Sequence, residues 1–148
     1  AVDAALDRGS LAFWEAFVLG TEIEVICTPK QLGDVVLARK DLGASYHLAV
    51  VFDDAAQGVN LVTRGKDLLE ATHIHVLLQR LLDLPTPVYG HHALVLDEAG
   101  KRLAKRDKAR SLSELRANGW TVEDVRRALP PPPDYREALA TLTRRYSR

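Results

Sequence analysis

The sequence predicts an α/β domain followed by a small helical subdomain. Three apolar runs have the length and composition of buried strands in a parallel sheet: residues 46–52, 59–63 and 88–96. Residues 72–83 carry apolar side chains at the spacing of a core-facing helix. Beyond residue 108 the chain changes to short helical segments with capping residues. We therefore divide the 148 residues into a domain at 1–108 and a helical subdomain at 109–148.

Three elements are predicted before the first apolar run. A short helix is predicted at 2–6, ahead of a glycine and a serine. Residues 23–27 (IEVIC) place Ile23, Val25 and Cys27 at every second position, a spacing typical of an exposed strand. A turn then leads to a predicted strand at 34–40 (DVVLARK).

The middle of the chain supplies the predicted parallel strands. The run at 46–52 (YHLAVVF) is short enough for a strand buried on both faces, although periodicity does not exclude a helix. The run at 59–63 delivers Arg64 at its C-terminal end, where the ligand crevices of open α/β sheets lie. Thr72 is the predicted N-cap of the helix that precedes the strand at 88–96.

Short capped helices are predicted in the C-terminal part. Residues 111–114 (SLSE) have the pattern of a capping box, and Gly119 is the predicted C-cap of that helix. Thr121 begins a second helix, which a polyproline spacer at 130–133 ends. A last amphipathic helix is predicted at 134–145.

Composition limits the classes of function. Twenty basic side chains balance twenty acidic ones, so RNA binding requires a local patch such as the basic run at 101–110, although a solvated loop has the same composition. The single Cys27 excludes an internal disulfide and a cysteine-based zinc site. The apolar stretch at 11–20 is interrupted by Glu15 and is too short to span a bilayer, so we expect a cytoplasmic protein. The absence of methionine indicates a trimmed start or a start inside a longer reading frame.

Three segments, at 46–54, 64–72 and 100–106, carry a shared pattern. Their sequences are YHLAVVFDD, RGKDLLEAT and GKRLAKR. In this order and spacing they resemble the C-terminal half of the catalytic domain of class I glutamyl-tRNA synthetases, over residues 33–128. Val50 and the pattern RGxDLLxxT make the chain most similar to the short, queuosine-modifying form, the glutamyl-queuosine tRNA(Asp) synthetases. The resemblance implies a Rossmann-like α/β fold.

The resemblance implies an ATP-phosphate loop at 102–106, where the family carries its KMSKS motif. Lys105 matches the second lysine of the motif and Arg102 replaces the first, so these two are the predicted catalytic cations. Arg102, Leu103 and Lys105 are predicted to contact ATP, with Mg²⁺ expected to accompany the nucleotide. Because adenylyl transfer builds negative charge on the phosphates, such cations stabilise the transition state. Ala104 replaces the serine of the motif and loses its hydroxyl.

The resemblance also implies a glutamate pocket that contains Tyr46 and Arg64. The family places an arginine eighteen residues after a strand tyrosine, and these two residues have that separation. An arginine suits this task because its guanidinium grips a carboxylate through two parallel hydrogen bonds. The alternative is that Tyr46 is a core aromatic residue and Arg64 belongs to a surface ion pair.

Histidines and an acidic pair suggest a metal site, which we do not predict. On a helix, His73 and His75 point about 200° apart, so they cannot share one ion. We expect the histidines at 91–92 to be satisfied or solvent-facing, and the acidic pair at 53–54 to be structural in preference to binding Mg²⁺. The family's zinc site and HIGH-type motif belong to an N-terminal half that has no counterpart in this chain.

The resemblance implies ATP-dependent activation of L-glutamate and its transfer to the queuosine base of tRNA(Asp), within a longer enzyme. Two alternatives stay open: a catalytically inactive remnant that acts as an interaction module, and a fragment of an ordinary glutamate–tRNA ligase. Because half of the family's ATP site is missing, we expect the chain alone to be inactive. We also expect self-association through an uncovered sheet, with Val51, Phe52 and Leu61 among the residues responsible.

Overall fold

The structure is a computed structural model, which describes residues 2–16, 22–41, 43–96, 100 and 111–129. These residues form two compact units, one that extends to His92 and one that starts at Ala93. The first unit contains α1 (Val2–Leu6), β1 (Ala12–Ala16), β2 (Glu22–Ile26), β3 (Ala38–Arg39), β4 (Gly43–Ala44), α2 (Tyr46–Ala56), β5 (Leu61–Gly65), α3 (Leu69–Leu81) and β6 (Val88–His92). The second contains α4 (Leu112–Ala117) and α5 (Val122–Ala128). None of these helices combines the length and the apolar character that a membrane span requires.

A four-stranded sheet of order β2-β1-β6-β5 organises the first unit. β1 pairs antiparallel with β2, whereas β6 runs parallel to both β1 and β5. The chain passes from β5 to β6 through α3, the kind of crossover that a parallel pair needs. The register sets Arg64 of β5 beside His91 of β6, near the C-terminal ends of both strands.

α3 packs on one face of this sheet. Phe13 and Tyr89 of the sheet are buried in one cluster with Val76 and Leu77 of α3, and Ala5 of α1 completes it. Burial of an apolar side chain of this size stabilises the folded state by about 1.5–3 kcal/mol. This contact therefore holds the parallel strands and the helix that joins them as one body.

The predicted strand at 46–52 is wrong, because these residues form the first turns of α2. The helix packs against α3, and Val51 is buried there with Ile74 and Leu78. A strand with both faces covered would hide successive residues, yet Phe52 is 61% exposed. The valine-rich run reflects one buried helix face, which periodicity over seven residues cannot distinguish from a strand. Burial also removes Val51 from the surface that was predicted to self-associate.

The strand predicted at 34–40 is mostly absent from the described structure. Only Ala38–Arg39 is extended and paired, in a two-residue hairpin with Gly43–Ala44. Val35 and Leu37 pack on the contact between α2 and α3 and so do not enter the sheet. This packing, and not membership of a strand, explains why these positions are apolar.

Two other predicted boundaries are displaced. α3 begins at Leu69, three residues before the predicted cap Thr72, because a 3₁₀ turn at Lys66–Leu68 leads directly into it. β6 ends at His92 instead of residue 96, at the point where its partner strand β5 ends at the paired Gly65.

The helix at 2–6, the strand within 23–27 and the strand that carries Arg64 are confirmed. Both predicted capping pairs are also confirmed in the second unit, where Ser111 and Thr121 accept hydrogen bonds from backbone N–H groups three residues later.

Gly119 follows α4 with a φ of 83°, the left-handed conformation that commonly ends a helix. The predicted spacer at 130–133 and the predicted helix at 134–145 lie outside the described residues. The domain boundary after residue 108 lies outside them as well and stays a prediction.

Candidate functional site

Arg64 is the centre of a buried polar cluster between the sheet and α3. Its side chain is 9% exposed. Nε donates to Nε2 of His91 at 3.2 Å, Nη1 donates to Nδ1 of His75 at 3.0 Å, and Nη2 donates to Oγ1 of Thr72 at 2.5 Å. The guanidinium carbon also lies 5.0 Å from the centre of the Tyr89 ring, within the range of a cation–π contact.

Local structure explains why these partners meet. Arg64 and His91 are register neighbours on parallel strands, and their side chains point to the sheet face that α3 covers. Thr72 and His75 are three residues apart on α3 and therefore share one helix face. The Thr72 hydroxyl lies 3.2 Å from the carbonyl oxygen of Leu68, to which it donates, so its oxygen is oriented to accept from the guanidinium.

Glu15 of β1 completes the cluster from the other side of His91. One carboxylate oxygen accepts from the backbone N–H of His91 at 2.7 Å, and the other accepts from its ring Nδ1 at 2.7 Å. Both side chains are almost fully buried. Since Nε2 of His91 accepts from Arg64, the proton of the neutral ring belongs on Nδ1, where the carboxylate accepts it.

His75 is neutral for an electrostatic reason. Its pKa is lowered from 6.5 to about 3, first by burial and then by the charge of Arg64 and by His47. Nδ1 accepts from Arg64, so Nε2 carries the proton and donates to Nδ1 of His47 at 3.0 Å. The guanidinium therefore determines the proton position on both histidine rings that it contacts.

Tyr46 reaches the same cluster from the first turn of α2. Its ring packs edge-on against His75 with centroids 5.7 Å apart, and it also contacts His47. Unlike Arg64, Tyr46 is 52% exposed. The two predicted glutamate-binding residues therefore both touch His75, one buried and one open to solvent.

The acidic pair that was predicted to be structural lies on α2. Asp54 is half-buried, and its pKa is raised by burial and by the neighbouring carboxylate of Asp53, against the opposing charge of Arg64. His73 and His75 face separate partners, as their spacing predicts: Nδ1 of His73 accepts from the backbone N–H of Thr28 at 3.1 Å. Among the described residues, no three His, Cys, Asp or Glu side chains converge to hold a metal ion.

The predicted phosphate loop, with Arg102, Leu103 and Lys105, lies outside the described residues.

The sequence also contained a residue of the polar cluster that the family pattern did not identify. Glu15 interrupts the apolar stretch at 11–20, and a charge inside a strand of this kind indicates a buried partner.

A family model described as tRNA synthetases class I (E and Q), catalytic domain, matches residues 9–129. The chain belongs to this family. The match includes the strand of Glu15, the residues Tyr46 and Arg64, and both helices of the second unit. The predicted fold class, a Rossmann-like α/β segment of a class I catalytic domain followed by small helices, is confirmed.

The chain is also similar to curated proteins of this family. The glutamyl-Q tRNA(Asp) synthetase of Rhodobacter capsulatus is 66% identical over 100 residues, which are 68% of this chain and 36% of that protein. The protein of the same name from Nocardia farcinica is 49% identical over 112 residues, 72% of this chain and 36% of that protein. The chain therefore spans about a third of the length of these relatives.

Solved structures of the family agree with the fold. A glutamate tRNA ligase from Elizabethkingia meningosepticum, solved in complex with its amino acid, has a TM-score of 0.51 and 30% identity, covering 65% of this chain and 19% of that one. The glutamate–tRNA synthetase of Elizabethkingia anophelis also has a TM-score of 0.51, with 29% identity over 66% of this chain and 20% of that one.

Proposed function

We propose that this chain is part of an enzyme that activates L-glutamate with ATP and transfers it to the queuosine base of tRNA(Asp). The observation that carries the proposal is the 66% identity with a glutamyl-Q tRNA(Asp) synthetase, against 30% with a solved glutamate tRNA ligase. Val50 and the pattern RGxDLLxxT at 64–72 support the same choice between the two forms.

The polar cluster around Arg64 supports a carboxylate-binding role. An arginine has five N–H groups, and three of those of Arg64 have partners among the described residues. Each terminal nitrogen has one further N–H without a partner among the described residues, which can donate to a ligand carboxylate. Tyr46 stands beside it with an exposed ring, where it can border a bound glutamate.

ATP activation requires cations that the cluster does not contain. In the proposed reaction a carboxylate oxygen of glutamate attacks the α-phosphorus of ATP, and the bond to pyrophosphate breaks. We propose Lys105 and Arg102 for the charge on the leaving pyrophosphate, with Leu103 beside the nucleotide and Mg²⁺ bound to the ATP phosphates. The 148 residues alone are proposed to be inactive, because positioning both substrates needs the remainder of the relatives' catalytic domain.

A chimera tests the proposal. The matching segment of the Rhodobacter capsulatus protein is exchanged for the residues of this chain, and two activities are measured: glutamate-dependent ATP–pyrophosphate exchange, and transfer of radiolabelled glutamate to tRNA. We expect exchange, with transfer to tRNA(Asp) that contains queuosine and none to tRNA(Asp) from cells that lack queuosine.

Two controls separate the alternatives. Transfer to tRNA(Glu), or transfer that does not depend on queuosine, would identify the segment with an ordinary glutamate–tRNA ligase. The chain alone serves as the second control, and exchange clearly above a no-protein sample would contradict its proposed inactivity.

A further inference from the structure

We infer that Glu15 is a positioning residue for Arg64 and acts on it through His91. The effect of this positioning on glutamate binding rests on the proposed function, whereas the positioning itself is a property of the folded chain. Glu15 has no direct contact with Arg64 among the described residues, and the ring of His91 connects the two. The carboxylate thus orients the guanidinium without occupying it.

Both oxygens of Glu15 are committed to the same residue. They accept from the backbone N–H and the ring Nδ1 of His91, each at 2.7 Å, and Glu15 is 4% exposed. The contact fixes the ring in two ways, because the backbone N–H holds the carboxylate in place while the carboxylate holds the ring proton on Nδ1.

The tautomer of His91 determines whether the guanidinium of Arg64 can donate to its ring. With the proton on Nδ1, the bare Nε2 accepts from Nε of Arg64 at 3.2 Å, and it also lies 3.1 Å from Oγ1 of Thr72. The other tautomer would turn an N–H of the ring against an N–H of the guanidinium. Two donors cannot share a hydrogen bond, so the arginine would have to move away.

Arg64 stays available to an anion because its own partners are uncharged. It donates to two neutral rings, those of His75 and His91, and to the hydroxyl of Thr72. The carboxylate of Glu15 lies one imidazole ring away. The carboxylate of Asp54 on α2 interacts with Arg64 through its charge. A direct Arg–Glu pair at this position would instead fill the fork that a ligand carboxylate requires.

Only a carboxylate can satisfy His91 in this way. A glutamine at position 15 has one acceptor oxygen for two N–H donors, so its amide nitrogen must face either the backbone N–H or the ring Nδ1. The first arrangement opposes two donors, and the second pulls the ring into the tautomer that repels Arg64. Glu15→Gln is therefore a change of nearly equal size that reverses the hydrogen-bond pattern.

The unmodified chain provides the first test. Nitrogen-15 NMR of the full, labelled chain distinguishes protonated from bare imidazole nitrogens for each histidine. We expect His91 to be neutral with its proton on Nδ1, and His75 to be neutral with its proton on Nε2. A proton on Nε2 of His91 at neutral pH would overturn the inference, and this measurement needs no variant to fold.

The second test compares two variants of the full chain. In Glu15→Gln we expect the Nδ1–H signal of His91 to be lost, and the Nε–H of Arg64 to exchange with solvent about tenfold faster, as for the loss of one charged hydrogen bond. Val88→Ala is the control, since Val88 lies on β6 with its side chain on the opposite sheet face from His91. It creates a cavity near the cluster but should leave both signals as in the unmodified chain.

Two outcomes of the comparison would overturn the inference: an unchanged Arg64 Nε–H in Glu15→Gln, or an equal change in Val88→Ala, which would reflect general loosening. These measurements contain neither glutamate nor ATP. Failure of the chimera to transfer glutamate would therefore count against the proposed function alone, and an altered tautomer would count against the positioning alone.

Discussion

We expect His75 to make the stability of the first unit sensitive to mild acid. Its ring is buried and held neutral, with a pKa of about 3 in the folded chain against 6.5 for an ordinary histidine. When the pH falls below 6.5, the unfolded chain takes up a proton on this ring that the folded chain does not. The stabilisation is therefore complete above pH 6.5 and is lost progressively as the pH falls toward 3.

The size of the effect follows from these two pKa values. Linkage gives a loss of about 1.4 kcal/mol at about pH 5.5 and about 2.7 kcal/mol at about pH 4.5, relative to neutral pH. A loss of this size is a large fraction of the stability of a small domain, which is typically about 5–15 kcal/mol.

Urea unfolding at these pH values measures the loss. The chain has two tryptophans, Trp14 in β1 and Trp120 in the second unit, so a Trp120→Phe background makes fluorescence report on the first unit. His75→Asn in that background keeps an acceptor for Arg64 and removes the titrating ring. We expect the variant to be less stable at neutral pH but to lose less stability on acidification. An equal acid-induced loss in both proteins would refute the role of His75.

Three further predictions concern other residues. In the chimera, Arg64→Lys should raise the Michaelis constant for glutamate, by up to the equivalent of about 2–4 kcal/mol. Lys105→Ala should lower the activation rate and leave the Michaelis constant for glutamate nearly unchanged. Steady-state kinetics with each substrate varied measures both, and an unchanged Michaelis constant for glutamate in Arg64→Lys would show that Arg64 is wrongly assigned. Phe52→Ser should reduce self-association measured by light scattering, because Phe52 is exposed, and equal association in both proteins would exclude it. Tyr89→Phe should cost about 1–3 kcal/mol in urea unfolding, because the buried amide of Gln79 loses its acceptor at 2.9 Å; a neutral effect would contradict this.

The place of Arg64 at the end of a strand could be predicted from the sequence, because an apolar run precedes it. The partners of Arg64 could not be predicted, since they come from α3 and β6, and Glu15, which holds one of them, comes from β1. Glu15 is 76 residues from His91, and no local pattern connects residues at that separation. The hydrogen bonds among these partners then set the proton positions on the histidine rings, so the proton positions also depend on contacts that are distant in the sequence.

The helices of the second unit and the run at 46–52 show the same difference between local patterns, which could be predicted, and long-range packing, which could not. The capping boxes at Ser111 and Thr121 were predictable because cap and partner lie within one turn of the chain. The run at 46–52 was predicted incorrectly because its state depends on α3, which lies later in the sequence and covers only one side of α2. Apolar content predicted that this run is partly buried but did not predict its geometry.

The separation of Glu15 from His91 has a consequence during protein synthesis. At about 5–20 residues per second, a ribosome needs roughly 4–15 s to add the 76 residues between them. For that time β1 can pair with β2 but not with β6, so one of its edges stays open to strands of other nascent chains. A carboxylate within such a strand, here at the penultimate residue of β1, opposes β-aggregation. Before it orients Arg64, Glu15 is therefore in a position to oppose aggregation at the open edge of β1.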